Sequence, residues 1–268
     1  ISFNQEEAHE LSLILEQENR NRQSIEKNTV DQAILQLNST HDIYKDKIFV
    51  LSDDNWHQGV IGIVASKIKE MYNRPVVMIS FQNGIGKGSA RSIHNFDLYK
   101  AFTECSNLLE SYGGHKMAAG LTIKQKMLAK FRDCIQQIAE QQISEDMLHP
   151  ILKIECEINF NDINQNIIDY LNKMAPFGPG NMRPIFAARN ITISGLPRIV
   201  GENHLKFKAR QGKIVIGAIG WKLGTLYEML ISNRPLDMVF VIEENEWNNN
   251  KEIQLNIKDI RYSDSTII

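Results

Sequence analysis

The sequence contains little cysteine and no long hydrophobic run. Its three cysteines, at positions 105, 134 and 156, form no Cys-x-x-Cys pair, so a disulfide scaffold is not indicated and a reducing compartment is expected. No stretch approaches the roughly 18 apolar residues of a membrane helix. The first ten residues carry three glutamates, where a signal peptide would carry basic residues. We therefore expect a cytoplasmic protein that is not embedded in a membrane.

Motifs for metal binding and for nucleophilic catalysis are also missing. The seven histidines are scattered, with no His-Glu-x-x-His or paired-carboxylate spacing. Neither a Ser/His/Asp arrangement nor the spacing of a phosphate-binding P-loop is visible. The formal net charge is only −2, so a nucleic-acid site would have to be a local basic patch. The residues thus indicate a chain that contacts phosphates or nucleic acid without a reaction centre of its own.

The first residues predict a long helix. Residues 5–38 contain neither proline nor glycine, and apolar side chains recur at helical spacing. Between Glu16 and Thr29 the only apolar residue is Ile25, so this part of the helix has no face to bury. We interpret it as a bridge between two packed bodies, with a solvated surface helix as the alternative. Because the chain enters this pattern directly after Ile1, we expect it to be the interior of a longer protein.

A βαβ unit follows the helix. Ile48–Leu51 and Val76–Ile79 are typical of buried strands, and residues 59–72 between them are helical in pattern. Short connections predict a parallel strand pair with a right-handed crossover. Three further elements are predicted in this domain: a helix from Asp97 to Leu109, a strand at Met117–Ile123 and a helix at Gln125–Ile143.

Residues 151–262 have a different pattern. Ile151–Ile158 alternates apolar and polar residues as a strand does, and Asn161–Lys173 is predicted to be a short helix. Five strand-like stretches follow: Ile185–Ser194, Arg198–Ala209, Ile214–Ile219, Met238–Glu244 and Ile253–Ile260. Many strands with a single helix favour a small closed β-barrel such as an OB-fold, with a half-open sandwich as the alternative.

The predicted architecture is an α/β domain, whose mixed sheet contains the βαβ unit, preceded by a long connector helix and followed by an all-β, OB-fold-like barrel. Pro150 marks the change from one pattern to the other. We assign residues 1–45 to the connector helix, 46–148 to the α/β domain and 149–268 to the barrel.

Paired glycines beside a histidine form the first candidate site. Gly113 and Gly114 would let a ligand approach the backbone and can turn consecutive N–H groups into an anion-binding nest. His115 follows them and offers a ring N–H to a phosphate or a base. A tight turn at the entry of a strand, with a hydrogen-bonded histidine, is the alternative on the residues alone.

A second candidate lies between residues 87 and 92. It offers two cations and two hydroxyl groups, from Lys87, Ser89, Arg91 and Ser92. Arginine can bind a phosphate in a bidentate manner and lysine as a point charge, but an exposed turn with solvated charges is as plausible. Trp56 and His57 precede a helix N-terminus, which suits an anion; a packing role for Trp56 and a capping role for His57 are the alternatives.

Basic residues are concentrated in the barrel sequence. Within sixteen residues, opposed only by Glu202, stand Arg198, Lys206, Lys208, Arg210 and Lys213. Lys206 and Lys208 alternate with Phe207, so both lysines face one side of a strand. Basic strands on a small barrel are typical of single-stranded nucleic-acid binding, although a solvated run of charges is the usual reason for such a pattern.

Taken in order, these motifs resemble the RecJ family of bacterial exonucleases, within the DHH phosphoesterase superfamily. The matching stretches are residues 55–66, 87–92, 96–98 and 113–120 in the α/β domain, and 176–181, 204–206 and 243–248 in the barrel. The glycine-histidine motif alone would indicate only the superfamily, whereas the ordered set is far more specific.

The resemblance implies a single-stranded-DNA-specific 5′→3′ exonuclease of DNA recombination and repair. In that family a DHH domain holds manganese or magnesium and cleaves the phosphodiester. A DHH-associated domain helps to hold the strand end, and an OB-fold grips the strand. No DHH tripeptide occurs in this sequence. The resemblance therefore implies a catalytic domain on the N-terminal side as partner, with neither metal nor activity in this chain alone.

Single-stranded DNA is the other partner that the resemblance implies, and it favours DNA contact over a structural role for His115 and Arg91. The candidate binding residues are Trp56, His57, Lys87, Ser89, Arg91, Ser92, Gly113, Gly114, His115, Lys206, Lys208 and Arg210. Two alternatives stay open: a stand-alone module that binds single-stranded nucleic acid, and a DHH-family phosphodiesterase that acts on short oligoribonucleotides.

Overall fold

A computed structural model describes residues 4–247 and 250–264, without the side chains of residues 247 and 250. Contacts divide the chain into two compact units, residues 1–151 and 152–268. The three-part division at residues 45 and 148 stays a prediction. No helix in the described part of the chain is both long and apolar enough to cross a membrane.

Unit 1 begins with the long helix that the sequence predicts, α1, over Gln5–Thr40. Its first turns are exposed, and its buried face begins only at Glu26. The expectation that the polar stretch buries no side chain is wrong at Glu26 and Thr29. The Glu26 carboxylate lies 2.5 Å from Lys67 of the next helix and 2.5 Å from Arg22, and the Thr29 hydroxyl donates to the carbonyl of Ile25. Both polar groups are satisfied, which is why they can be buried.

A mixed five-stranded sheet forms the body of unit 1, in the order β1-β2-β3-β5-β4. The strands are β1 Phe49–Asp53, β2 Val76–Gln82, β3 Ile85–Arg91, β4 Ser111–His115 and β5 Ala118–Lys124. The helices are α2 Ile61–Tyr72, α3 Leu98–Glu104 and α4 Leu128–Gln142. Strands β1 and β2 pair in parallel around α2, which confirms the predicted βαβ unit, and all other pairs are antiparallel.

Two hydrophobic clusters cover this sheet on opposite faces. One packs α1 and α2 against Phe49, Leu51 and Met78. The other packs α3 and α4 against the opposite face of all five strands. On the α2 side, strands β3, β5 and β4 keep accessible side chains, so half of that face is open to a ligand.

Two predictions for unit 1 are corrected in detail. Helix α3 ends at Glu104 instead of Leu109, and a short 3₁₀ turn occupies residues 106–108. The glycine-histidine motif lies within β4 and pairs with β5; it is a strand and not a turn, and His115 ends that strand directly before the turn at residues 116 and 117. The β2–β3 connection is a tight two-residue hairpin in which Asn83 and Gly84 both have positive φ, as such hairpins require.

Unit 2 contains a closed five-stranded barrel. Its elements are β6 Cys156–Glu157, α5 Gln165–Lys173, β7 Phe186–Ile193, β8 Arg198–Val200, β9 His204–Gln211, β10 Ile214–Gly220, α6 Tyr227–Ile231, β11 Leu236–Trp247 and β12 Asn250–Tyr262. Strand β7 pairs with β11 on one side and with β9 on the other, which closes the ring β7-β9-β10-β12-β11. With β10 and β12 parallel, this is the topology of an OB-fold, and the predicted fold class is confirmed.

The strand predictions for unit 2 fail at two places. Ile151–Ile158 pairs only at Cys156 and Glu157, because the parallel register places the residues before Cys156 opposite residues that precede β7. Arg198–Ala209 is two strands and not one, since Gly201 has a φ of +60° and turns β8 back onto β9. Helix α6, in the connection between β10 and β11, is missed altogether.

Replacing Glu26 by glutamine is expected to destabilise the protein by about 1–3 kcal/mol near neutral pH, since Lys67 and Arg22 lose the buried carboxylate with which they pair. The hydrogen bond from Lys67 is the main cause that lowers the pKa of Glu26. The stability contributed by this lowered pKa is therefore complete above the unfolded-state pKa and is lost as the pH falls through the folded-state value. Urea denaturation followed by circular dichroism, at about pH 7 and about pH 3, measures the difference.

Glu16→Gln is the matched control, because Glu16 forms an exposed i,i+4 pair with Arg20 on the same helix. Its effect should stay within about 0.5 kcal/mol. A Glu26→Gln effect no larger than the control, or one that persists unchanged in acid, would show that the buried ion pair does not stabilise the helix junction.

Candidate nucleic-acid interface

The accessible half of the unit 1 sheet brings most of the predicted residues together. Cross-strand partners share a face, and the register places Arg91 beside Ala118 and Ala118 beside His115. The next row on the same face contains Ser89, Gly120 and Gly113, and the last contains Lys87, Thr122 and Ser111. We call these nine residues of β3, β5 and β4 the exposed sheet face. Small side chains in its middle leave a shallow floor between the cations and the histidine.

Arg91 is fixed at the border between the exposed sheet face and α2. Its Nε donates to the hydroxyl of Ser66 on α2 at 3.1 Å, and its Nη1 lies 3.2 Å from the hydroxyl of Ser89. A Cβ at Gly62 would lie 3.0 Å from the Ser89 hydroxyl and 3.1 Å from Nη2 of Arg91. The glycine in the first turn of α2 therefore lets the guanidinium approach the helix closely.

The surroundings of Arg91 suit an anion. Gly62 belongs to the first turn of α2, a helix of 12 residues whose N-cap, Val60, provides no side-chain hydrogen bond. The unpaired N–H groups and the dipole at such an end favour negative charge. With the hydroxyls of Ser66 and Ser89 at hand, the arrangement can bind a phosphate through charge and several hydrogen bonds.

Lys87 and His115 lie on either side of the floor. Lys87 donates to the Thr122 hydroxyl at 2.9 Å. His115 is exposed, two strands away from Arg91 in the same row, which separates their Cα atoms by about 10 Å. Arg91 and His115 are thus spaced to contact neighbouring groups of one extended ligand.

The paired glycines have a different role from the predicted anion nest. Gly114 has a φ of +136°, and a Cβ there would lie 2.5 Å from the carbonyl oxygen of Ala118 and 2.6 Å from the Cα of Ala119. Gly114 is required because β5 approaches it closely. Gly113 faces open space and keeps the exposed sheet face flat.

Two predicted contacts are corrected by burial. Trp56 is only 2% exposed, and its indole N–H donates to Gln32 of α1 at 3.0 Å, so it packs and cannot stack on a base. Ser92 is likewise 2% exposed, and its hydroxyl donates to the carbonyl of Phe96. His57 is exposed, but its Nδ1 accepts the N–H of Gly59.

A groove on the barrel holds the other predicted residues. It has a volume of about 690 Å³ and crosses β9 and β10 between the β7–β9 connection and the β11–β12 hairpin. The lining residues are Ser194, Gly195, Leu196, Arg198, Val200, Lys206, Phe207, Lys208, Gly217, Ala218, Asn245, Glu252 and Gln254. We call this the barrel groove. Counted within the barrel, β9 and β10 are the second and third strands, which form the oligonucleotide-binding face of OB-folds.

The two walls of the barrel groove differ in charge. Arg198, Lys206 and Lys208 lie on one side, and Asn245, Glu252 and Gln254 on the other. Lys206 and Lys208 form no ion pair within residues 4–247 and 250–264. Arg210 lies outside the groove and donates to the Ser194 hydroxyl at 2.8 Å. The cationic wall suits phosphates, and the opposite wall offers hydrogen-bonding groups.

No binding role was predicted for Gly62 and Ser66 beside the exposed sheet face. The same holds for Asn245, Glu252 and Gln254, which line the other wall of the barrel groove. The spacing of Gly62 and Ser66, four residues apart on a helix, could have placed them on one face. The 243–248 stretch was noted, but residues 248 and 249 lie outside the described part of the chain. The described residues include no group of three or more His, Cys, Asp or Glu side chains that could hold a metal ion.

Two family models match the chain, one for each unit. The DHHA1 domain matches residues 45–141, and the RecJ OB domain matches residues 154–259. Among curated relatives, the single-stranded-DNA-specific exonuclease RecJ of Bacillus subtilis is 31% identical over 96% of this chain and 33% of its own length. The protein of the same name from Haemophilus influenzae is 31% identical over 92% of this chain and 45% of its own. The chain thus spans less than half of these relatives.

Solved structures show the same likeness. The crystal structure of RecJ from Thermus thermophilus in complex with Mg²⁺ superposes with a TM-score of 0.80 at 25% identity, and covers 98% of this chain and 39% of that protein. Its complex with Mn²⁺ gives a TM-score of 0.81 over 98% of this chain and 38% of that protein.

Gly114→Ala is expected to destabilise the protein by about 1–3 kcal/mol, because an alanine would be strained at this positive φ and its methyl group would meet the backbone of β5. The matched control is Gly113→Ala, whose added methyl group has open space at a neighbouring position of the same strand. Thermal unfolding followed by circular dichroism compares the two. Equal midpoints would show that the hairpin tolerates a side chain at Gly114.

Proposed function

We infer that this chain, which belongs to the RecJ family, is the substrate-binding part of a single-stranded-DNA-specific exonuclease. The whole enzyme removes nucleotides in the 5′→3′ direction during DNA recombination and repair, in the cytoplasm. Phosphodiester cleavage belongs to a catalytic DHH domain outside these residues, and the chain alone is inactive. The relatives are named single-stranded-DNA-specific exonucleases. They are more than twice as long as the segment that they share with this chain.

The barrel groove is the observation that carries this proposal. It crosses the second and third strands of an OB topology, and its cationic wall presents Lys206 and Lys208, which form no ion pair among the residues that the structure describes. Binding of single strands combines such a positive groove with stacking surfaces, and it depends on the backbone instead of the sequence. A duplex-specific site would also need positive charge, but it would have no use for a stacking surface.

The exposed sheet face supplies the second contact. Arg91, Ser89 and Lys87 hold phosphates, with Gly113 keeping the floor low and His115 offering a ring N–H. Gly114 contributes indirectly, by letting β5 lie close to β4. His57 and Arg210 belong to the proposed binding set at its margins. Each surface binds part of a strand and so helps to position the scissile bond, and such positioning accounts for a large part of the acceleration of a bimolecular reaction.

Divalent metal belongs to the remainder of the enzyme. The T. thermophilus structures are complexes with Mg²⁺ and Mn²⁺, but the described residues of this chain offer no ligand group. The residues present do not fit a metal, so no step here runs through one. Their part is to bind and orient the strand.

The two alternatives are less well supported. A phosphodiesterase for short oligoribonucleotides has no use for a groove that crosses a whole barrel. A stand-alone binding module would carry the same groove, but the relatives that share both units are exonucleases by name.

Replacing Lys206 and Lys208 together by alanine is expected to weaken the binding of a fluorescein-labelled oligothymidine to the 268-residue chain. Fluorescence anisotropy at several salt concentrations gives the affinity and its salt dependence. Each lost phosphate contact should reduce the slope of log K against log salt by about 0.7 for a single strand. The same samples incubated with Mn²⁺ should leave the oligonucleotide intact.

Lys173→Ala is the matched control, because this lysine lies on α5 over the ring of Tyr170. No binding by the wild-type chain even at low salt would refute the proposed function. Metal-dependent cleavage by the pure chain, abolished by substitution of its own carboxylates, would refute the assignment of catalysis to another domain.

Arg91→Ala is expected to lower the affinity for the same oligonucleotide about tenfold, the effect of one lost hydrogen-bonded charge. Arg91→Lys should recover only part of it, because lysine keeps the charge but lacks the planar fork. Arg20→Ala on α1 removes an exposed, paired arginine and controls for net charge. An affinity unchanged by Arg91→Ala would remove the exposed sheet face from the binding site.

A further inference from the structure

Trp221 is a large aromatic side chain that the proposed contacts do not use. It directly follows β10, and 55% of it is exposed to solvent. One edge meets the ring of His204 at the start of β9, with the ring centroids 4.8 Å apart and an interplanar angle of 70°. An indole with more than half of its surface exposed presents an accessible aromatic surface.

The surroundings hold His204 and Trp221 rigidly. The N–H of Lys222 donates to Nδ1 of His204 at 2.9 Å, and Lys222 has a φ of +60°. The N–H of Gly224 donates to the carbonyl of Asn203 at 3.2 Å, which ties the two turns together. A residue held at positive φ and a histidine fixed through one ring nitrogen keep the platform in place before any ligand arrives, which lowers the entropy cost of binding.

Glycine is needed beside the ring pair. Gly201 has a φ of +60°, and a Cβ there would lie 3.2 Å from Cδ2 of His204. Gly224 would place a Cβ 1.9 Å from the side-chain oxygen of Asn203. Both glycines allow the two turns to approach closely enough for the histidine to support the indole.

Trp221 lies at the end of the row of lysines. Gly220 pairs with Leu205, Ile219 with Lys206 and Gly217 with Lys208. On β9 the inward residues Leu205 and Phe207 are buried, whereas Lys206 and Lys208 are exposed. By the alternation of the strand, His204 shares the outward face of the lysines. Val200, its partner on the other side, lines the barrel groove.

The spacing suits successive nucleotides. Positions two residues apart on a strand are separated by about 6.6 Å, so His204, Lys206 and Lys208 form a ladder of evenly spaced groups. One end of the ladder is aromatic and the rest is cationic. A base of a bound strand can therefore lie at the aromatic end, while the phosphates of the next nucleotides lie at the two lysines.

We propose that Trp221, positioned by His204, is a base-stacking platform at the end of the barrel groove. A nucleobase stacks on the open face of the indole, and the phosphates of the following nucleotides contact Lys206 and Lys208. This inference rests on the proposed binding of single-stranded DNA. Every base has a π-face, so the platform adds affinity without selecting a sequence.

Trp221→Ala in the 268-residue chain is expected to weaken binding of the labelled oligothymidine about tenfold, within the range found for loss of one stacked base. The salt slope should not change, because no phosphate contact is removed. Trp221→Phe should retain most of the affinity. Tyr170→Ala is the matched control, because Tyr170 is an aromatic side chain of the same unit, 66% exposed on α5.

Intrinsic fluorescence provides a second measurement that does not depend on the alanine variant folding. The chain has a third tryptophan, Trp247, so the measurement uses a Trp247→Phe background. Saturating oligothymidine should quench the emission of this background protein, and adding Trp221→Phe should abolish most of that quenching, since the remaining Trp56 is buried. If the wild-type chain binds and Trp221→Ala binds equally well, the platform is refuted while the proposed function stands. Full quenching after Trp221→Phe in the Trp247→Phe background would refute it too. A wild-type chain that binds no single strand refutes the proposed function itself.

Discussion

The pleat of strand β3 is the constraint on which unit 1 depends. Its inward side consists of Gly86, Gly88 and Ala90, because a Cβ at either glycine would lie within 2.6–2.8 Å of bulky side chains from β2 and β5. Its outward side consists of the polar residues of the exposed sheet face. A shift in register by one residue would drive a lysine and an arginine into the core. One alternation therefore fixes both the packing and the position of the cations.

Strand β9 shows the same alternation of core and polar residues in the barrel. Its apolar residues point into the closed ring, and its lysines point out of it. Closure by the β7–β9 pair leaves no long free edge, so the outer surface of β9 and β10 is available for a ligand. In each unit the candidate binding surface is the outward side of a strand whose other side belongs to the core.

Periodicity and turn residues allowed much of the fold to be predicted from the sequence. The βαβ unit was predictable because two short apolar runs flank an amphipathic helix, and the barrel because its strands alternate. Prediction failed where the conformation of a residue depends on another segment of the backbone that packs against it or on a turn. The conformation of Gly114 depends on β5 lying against it, and the division of residues 198–209 depends on a turn at Gly201.

The candidate site was predictable to a smaller degree. Lys87, Ser89 and Arg91 were recognised by residue type, and the structure brings them onto one face. For Trp56 the sequence left a packing role open as the alternative, and the structure bears out that alternative, with a hydrogen bond to Gln32 of a distant helix. Trp221 was missed because nothing in its local sequence shows that a histidine seventeen residues earlier supports it.

The unequal anchoring of α1 has a mechanical consequence. The helix has 36 residues and is about 54 Å long, but it is buried only from Glu26 onward. The exposed part, residues 5–25, is about 30 Å long, and the ion pair between Glu26 and Lys67 lies where the buried part begins. A tilt of about 5° around that ion pair moves the first residues of the helix by about 3 Å, since a rigid helix transmits rotation along its whole length. Because Lys67 belongs to α2, the helix that holds Arg91 through Ser66, any such rotation is applied directly beside the candidate phosphate site.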